Sequence, residues 1–173
     1  MPFNKLISAQ HAGESVGIYS ICSAHPYVLE AAMLQAKADS THLLIEATSN
    51  QVNQFGGYTG MTPSQFIAYV AKIAGRAQLD AARIILGGDH LGPHVWQELS
   101  AEEAMSHARE MVQAYVEAGF RKIHLDTSMP CADDSRPLAE ELAAVRAAEL
   151  CKAAEEAVLS RDPVTAPVYV IGT

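Results

Sequence analysis

Residues 84–93 read IILGGDHLGP, and this stretch decides the predicted fold. It begins with a short apolar run and continues through two glycines, an Asp-His pair and a Gly-Pro dipeptide. The apolar run predicts a buried strand over residues 83–86, and the Gly and Pro residues predict a turn after it. We therefore expect Asp89 and His90 in a loop at the carboxyl end of a strand, where parallel α/β folds gather their functional groups. Taken alone, the stretch is explained equally well by a turn whose Asp caps the next segment.

Strands and helices alternate along the rest of the chain. Apolar runs predict strands over residues 17–24, 41–47, 83–86, 120–126 and 168–173. Four helices are predicted between them, starting at Pro26, at the capping boxes of residues 62–65 and 100–103, and near Leu138. This alternation indicates a parallel sheet with helical crossovers, either an open doubly wound sheet or part of a (β/α)8 barrel. No GxGxxG sequence follows the first strand, which weakens a dinucleotide-binding interpretation.

Composition limits the classes of function. The chain has 173 residues, of which 49% are hydrophobic and 18% charged, as expected for a single globular domain over residues 1–173. A formal net charge of -8 argues against a nucleic-acid or anionic-membrane surface. Three cysteines without a close pair suggest neither a disulfide framework nor a zinc ribbon. Because no signal peptide or membrane-spanning run is recognisable, we expect a cytoplasmic protein.

Polar or ionisable side chains occur at the carboxyl ends of all four complete predicted strands. They are Cys22, Ser23 and His25; Glu46, Thr48, Ser49 and Asn50; Asp89 and His90; and His124, Asp126, Thr127 and Ser128. Helix capping alone requires only one short polar residue at each position. We therefore expect a functional pocket at this end of the sheet.

The individual candidates differ in strength. His90 suits a metal such as zinc, although neither an HxH nor an HExxH spacing accompanies it. His124 lies within a predicted strand, so we expect a hydrogen-bonded interior histidine rather than a ligand. Cys22 is expected to act as a small apolar residue rather than a nucleophile.

Two acidic residues have alternative roles that the sequence leaves open. Glu46 and Asp126 suit an acid, a base or a group that orients a ligand, but either residue could instead pair with Arg83 or Lys122. Lys122 begins its predicted strand and is therefore expected at the end opposite the pocket. That position makes it a poor candidate for a Schiff-base lysine.

Several long blocks resemble one known family. In chain order they are CSAHPYVLEAA, LLIEATSNQVNQFGGYTGMTP, GGDHLGPHVWQ, AGFRKIHLDTSM and YVIGT. They are similar to the D-tagatose-1,6-bisphosphate aldolase non-catalytic subunit family, whose members have also been labelled tagatose-6-phosphate kinases. The resemblance extends over nearly the whole chain from His11 onward. Family members are more than twice as long and continue past YVIGT, so we expect an N-terminal fragment or a truncated chain.

The resemblance implies a TIM barrel of the class II, zinc-dependent aldolase type, present here as an incomplete N-terminal part with about five parallel strands. In such enzymes an Asp-His pair after a strand supplies the catalytic acid and a zinc ligand, which assigns these roles to Asp89 and His90. The remaining zinc ligands come from later strands, so weak Zn²⁺ binding is expected. The candidates for binding a sugar phosphate are Glu46, Asn50, Asp126 and Ser128. His94 departs from the family pattern.

The resemblance also implies a function. We expect a non-catalytic subunit that supports the activity and stability of a catalytic aldolase subunit in galactitol and amino-sugar catabolism. The alternative is a zinc-dependent aldolase or lyase that acts on a sugar bisphosphate, with Asp89 as the acid and His90 as a metal ligand. A tagatose-6-phosphate kinase is the weakest hypothesis, because the sequence lacks a GxxxxGK[ST] loop for phosphate.

An incomplete barrel would leave the first and fifth strands with unpaired edges, which attract other chains. We therefore predict that the isolated chain has low stability or self-associates as a homo-oligomer. Light scattering combined with a thermal melt tests this prediction. A strict monomer that unfolds in one sharp transition would contradict it.

Overall fold

Five parallel strands form one sheet in the chain order β1-β2-β3-β4-β5. The structure is a computed structural model that describes residues 3–159, without the Leu159 side chain, and residues 166–172. The strands are β1 Ser20–Cys22, β2 Leu43–Thr48, β3 Ile84–Leu91, β4 Lys122–Leu125 and β5 Val168–Ile171. The predicted α/β fold with sequential parallel strands is thus confirmed. The predicted end of the fifth strand at Thr173 lies outside the described residues.

Five α-helices accompany the sheet. They are α1 Phe3–His11, α2 Pro26–Asp39, α3 Pro63–Ala77, α4 Ala101–Ala118 and α5 Glu140–Leu159. Helix α1 was not predicted, and none of its residues is buried. None of the helices in the described part of the chain combines the length and apolar character that crossing a membrane would require.

Local capping interactions fix the helix ends that the sequence indicated. The backbone N–H of Thr62 donates to Gln65 Oε1 over 2.9 Å, which completes the predicted capping box of α3. At the start of α4, the backbone N–H of Glu103 donates to Ser100 Oγ over 3.3 Å. Gly119 ends α4 with a φ of 108°, a left-handed conformation that glycine adopts without a Cβ clash.

The sheet has an apolar face and a polar face. Alternate residues of β2 and β4, among them Ile45 and Ile123, are fully buried in a core that the helices share. The intervening residues, which include Glu46, Lys122 and His124, share the opposite side, and we call this side the polar face. Because side chains alternate along a strand, the polar residues of neighbouring strands come together on one side. The sheet order therefore assembles the candidate site.

Strand β3 is longer than predicted. It continues to Leu91, so Asp89 and His90 lie within the strand and not in a loop after it. The register with β4 pairs Gly88 with Ile123 and Leu91 with Leu125, which leaves two residues of β3 opposite the single residue His124. This irregularity is a β-bulge, and the glycines that suggested a turn belong to the bulged strand. The predicted bounds of the first and fourth strands were too wide, at 17–24 and 120–126.

Gly92 marks the closest approach of β3 to the segment that follows β4. A Cβ atom at this position would lie 1.7 Å from the backbone oxygen of Asp126. No side chain fits at that distance unless the two segments separate. Glycine is therefore required here by space rather than by an unusual φ.

We predict that Gly92→Ala lowers the free energy of unfolding by about 1–3 kcal/mol, because the added methyl group forces the two backbone segments apart. Gly75→Ala in α3 is the matched control, since a Cβ there meets nothing within 4 Å. Removing a helical glycine should stabilise the protein by ~0.5–1 kcal/mol. Urea denaturation of both variants measures the difference, and equal midpoints would refute the steric argument.

Candidate functional site

Asp89 lies between two histidines on the polar face. Its Oδ1 atom is 3.0 Å from His90 Nδ1 and 3.1 Å from His124 Nδ1. The two imidazole rings are close to each other, with centroids 4.2 Å apart and planes inclined by 50°. One ligand atom from each of the three residues lies within 4.8 Å of the others. We refer to Asp89, His90 and His124 as the triad.

The β-bulge explains why two consecutive residues reach the same site. In a regular strand, Asp89 and His90 would point to opposite faces of the sheet. In the bulge, His90 has a φ of 50°, which is uncommon for a residue other than glycine. This conformation turns its imidazole toward Asp89, at a backbone cost on the order of 1–3 kcal/mol. Such strain is concentrated at functional sites in proteins.

A backbone carbonyl orients His124. The Nε2 atom of His124 is 2.8 Å from the carbonyl oxygen of Gly172, next to β5. Because a carbonyl oxygen only accepts, this contact places a proton on Nε2. In a neutral imidazole the Nδ1 lone pair then faces the Asp89 carboxylate. Two acceptors 3.1 Å apart need a proton or a metal cation between them, and metal-binding histidines commonly use such a carbonyl contact.

The surroundings of Asp89 keep its carboxyl group ionised. Burial alone would raise its pKa, but hydrogen bonds from His124 and Cys22 and the charge of His90 outweigh burial and lower the pKa. The pKa of the neighbouring Cys22 thiol shifts in the opposite direction. Although Cys22 is an exposed residue, desolvation of its thiol and the neighbouring Asp89 carboxylate raise the pKa of Cys22 to about 12. Cys22 is therefore a protonated donor at neutral pH and a poor nucleophile, as the sequence suggested.

An ion pair lies beside the triad on the polar face. Lys122 Nζ contacts Glu46 Oε1, and Ser20 Oγ donates to the second carboxylate oxygen. Lys122 Nζ also lies 3.9 Å from Asp89 Oδ1. The prediction that Lys122 lies away from the pocket was therefore wrong, because its long side chain runs along the polar face toward the triad. Of the two pairings that the sequence left open for Glu46, the structure selects Lys122.

The other predicted site residues form two further groups. Asn50 Nδ2 donates to His94 Nε2 over 3.2 Å, and burial lowers the pKa of His94 against the opposing charge of Asp126. Asp126 Oδ1 accepts from the backbone N–H and the hydroxyl of Ser128, over 3.0 and 2.7 Å. Asp126 and Ser128 line a cleft of about 220 Å³ beside Gly172.

Arg83 and His25 lie elsewhere. The Arg83 guanidinium donates to the backbone carbonyls of Ala36 and Thr41, so it pairs with neither acidic candidate. His25 precedes α2, where its ring lies 5.5 Å from the ring of Tyr27. The sequence also placed His124 outside the ligand set, whereas the structure brings it into the triad. The period-2 spacing of Lys122 and His124 was the available signal, because it places both side chains on one face of β4.

The triad fits a divalent transition metal. One carboxylate and two imidazole nitrogens form a donor set that zinc accepts in proteins. The outward-held Nε2–H of His124 leaves its Nδ1 available for coordination. These residues fit the metal that the aldolase resemblance implies, although His124 was not among the expected ligands.

Comparison with known proteins identifies the family. A sequence model described as D-tagatose-1,6-bisphosphate aldolase subunit GatZ/KbaZ-like matches residues 3–173. Among solved structures, a probable tagatose 6 phosphate kinase from Sinorhizobium meliloti 1021 is 55% identical, with a TM-score of 0.85. The alignment covers 91% of this chain but 39% of that protein, so this chain spans well under half of its length.

Two further solved structures align less closely. A lysine/ornithine decarboxylase from Vibrio vulnificus is 13% identical with a TM-score of 0.38, over 99% of this chain and 42% of that one. A mannonate dehydratase from Streptococcus suis serotype2 is 11% identical with a TM-score of 0.45, over 89% and 50% of the two chains. These two alignments superpose too loosely to support any inference about this chain. On the match over residues 3–173, the chain belongs to the D-tagatose-1,6-bisphosphate aldolase subunit GatZ/KbaZ-like family.

Proposed function

We propose that this chain is part of a D-tagatose-1,6-bisphosphate aldolase subunit that supports a separate catalytic subunit and does not itself cleave the sugar. Membership of the family supports the assignment to an aldolase subunit. The state of Asp89 supports the non-catalytic role. The pathway we propose is galactitol and amino-sugar catabolism in the cytoplasm, and the longer protein would close a TIM barrel.

The surroundings of the Asp89 carboxyl group disfavour a role as a catalytic acid. A general acid works best when its pKa lies near the operating pH, because it must carry the proton that it donates. The pKa of Asp89 is instead lowered. Its Oδ1 atom is also in contact with both histidines of the triad. An ionised carboxylate held in this way is poorly suited to protonate a leaving group.

Support of a catalytic subunit requires binding to its folded state. Such binding stabilises a partner by mass action, with about 2.7 kcal/mol expected at 100 times the dissociation constant. This effect depends on a contact surface and not on chemistry in the pocket. The triad, Asn50, Asp126 and Ser128 would then bind a sugar phosphate or a metal without turnover.

The triad favours a second candidate, a metal-dependent lyase. Asp89, His90 and His124 would hold a divalent metal, which polarises a substrate carbonyl as a Lewis acid. The Gly172 carbonyl orients His124, and Gly172 also borders the cleft that Asp126 and Ser128 line. In this arrangement Asp89 is a ligand, so the proton donor must be another group.

A kinase activity is not proposed. The kinase description belongs to the similar protein from Sinorhizobium meliloti 1021. The present sequence contains no GxxxxGK[ST] stretch, the phosphate-binding loop of one large class of kinases. No contact in the described residues favours phosphoryl transfer over aldol chemistry.

Substitution of Asp89 separates the two candidates. We predict that Asp89→Ala leaves the stimulation of a co-expressed catalytic subunit nearly intact, because support requires the outer surface. Aldolase activity and the rate of heat inactivation of the catalytic subunit are the measurements. The control is Asp39→Asn, which removes an exposed carboxylate at the far end of α2. If Asp89→Ala instead removes all the stimulation, Asp89 takes part in the chemistry and the lyase hypothesis is favoured.

The metal-binding capacity of the triad has a separate test. We predict that His124→Ala weakens Co²⁺ binding by at least ~100-fold, since loss of an outer-shell contact alone commonly costs 10–100-fold. The visible absorption of Co²⁺ and equilibrium dialysis report this affinity without any assay of activity. His25→Ala is the matched control, because His25 lies outside the triad at the same end of the sheet. Equal affinities of the two variants would exclude His124 as a ligand.

A further inference from the structure

We infer that Lys122 is a positioning residue that opposes cation binding at the triad, and that Glu46 relieves this opposition by neutralising the lysine. The inference rests on the metal-binding capacity proposed above for Asp89, His90 and His124. It assigns to the Glu46–Lys122 ion pair a role in setting metal affinity, in addition to its contribution to the fold.

The ammonium group of Lys122 lies between two carboxylates. It contacts Glu46 directly and lies 3.9 Å from Asp89 Oδ1, the oxygen that also faces both histidines. The side chains of Lys122 and Glu46 are only 12% and 7% exposed, so solvent screens their charges weakly. A metal bound through Asp89 would therefore be close to a largely buried positive charge.

The structure makes specific room for this ion pair. Glu46 on β2 and Lys122 on β4 both pair in register with Gly87 of the strand between them. A Cβ atom on Gly87 would lie 2.8 Å from Glu46 Oε1 and 3.2 Å from Lys122 Cδ. The two side chains therefore meet across β3 over a residue without a side chain, and a Cβ atom at residue 87 would force the Glu46 carboxylate to shift.

Glu46 is held in place from its other side. Ser20 Oγ donates to Oε2, while Lys122 occupies Oε1. Both oxygens are engaged, so Glu46 is a counterion of Lys122 rather than a ligand of a metal at the triad. In this arrangement the Lys122 ammonium group pairs with Glu46, and the Asp89 carboxylate remains in contact with His90 and His124.

The electrostatic consequence has a definite sign. Removing the Glu46 charge leaves Lys122 with Asp89 as its nearest carboxylate, so the lysine competes directly with a metal for that residue. Removing the Lys122 charge abolishes the competition. Because like charges a few ångströms apart repel strongly in a medium of low dielectric constant, each change should alter metal affinity by about tenfold or more.

The test compares three proteins by zinc affinity, measured in competition with a chromophoric chelator. Glu46→Gln should bind Zn²⁺ about tenfold more weakly than the wild type, and the double variant Glu46→Gln/Lys122→Met about tenfold more tightly. Both variants break the same ion pair, so a merely structural role would move both affinities in the same direction. The double variant also avoids leaving an unpaired buried carboxylate, which would destabilise the fold.

An exposed pair provides the matched control. Lys152 and Glu156 form an i,i+4 pair on α5, with Nζ and Oε1 3.8 Å apart and side chains 77% and 57% exposed. Glu156→Gln/Lys152→Met should leave zinc affinity unchanged. Thermal melts of all the variants confirm that each protein is folded at the temperature of the titration.

The possible outcomes distinguish this inference from the proposals above. Equal or weaker zinc binding by the double variant, relative to Glu46→Gln, overturns the role of Lys122. Absence of binding in every variant overturns both the inference and the metal-binding triad, but not the support of a catalytic subunit. Binding that appears only in the double variant supports the inference in its strongest form, with Lys122 excluding the metal from the wild-type site.

Discussion

Two residues of β3, Asp89 and His90, lie opposite one residue of β4, His124. This mismatch in the β-ladder is the constraint on which the candidate site depends, because the three residues of the bulge are the three residues of the triad. A regular ladder would separate Asp89 from His90 by the thickness of the sheet. The left-handed conformation of His90 is the local cost of bringing both side chains to one face.

The polar face is sustained by contacts that extend from β1 to the end of β5. The Ser20 hydroxyl donates a hydrogen bond to Glu46, and Glu46 forms an ion pair with Lys122. The ammonium group of Lys122 in turn lies near the Asp89 carboxylate. Just after β5, the Gly172 carbonyl oxygen accepts a hydrogen bond from His124 Nε2. Glu46, Asp89, Lys122 and His124 each have a polar partner in another strand, so these largely buried groups avoid the cost of being unsatisfied.

The sequence predicted the architecture well because the relevant signals are local. The apolar runs, the capping box at Thr62, the N-cap at Ser100 and the stop at Gly119 each act within a few residues and are present in the structure. Helix α1 offered no such signal. The extent of β3 was misjudged because glycines indicate a turn and a bulge equally well.

The candidate site was predicted only in part, because it depends on register. Asp89 and His90 were identified from their position after an apolar run. The roles of His124 and Lys122 follow from which residues lie opposite each other in neighbouring strands, and the bulge changes that pairing at a single residue. The position of a β-bulge cannot be seen in a single sequence, although the alternation along β4 already places Lys122 and His124 on the same face.

The close contacts across Gly87 also bear on how the chain can diverge. Glu46, Gly87 and Lys122 come from three strands but occupy one continuous volume on the polar face. A side chain at residue 87 would force the Glu46 carboxylate to shift, and loss of either charge would leave the other buried without its counterion. Substitutions at these positions are therefore interdependent, and a viable relative that changes one of them is expected to have changed the others. Residues 46, 87 and 122 are therefore expected to vary together among related sequences.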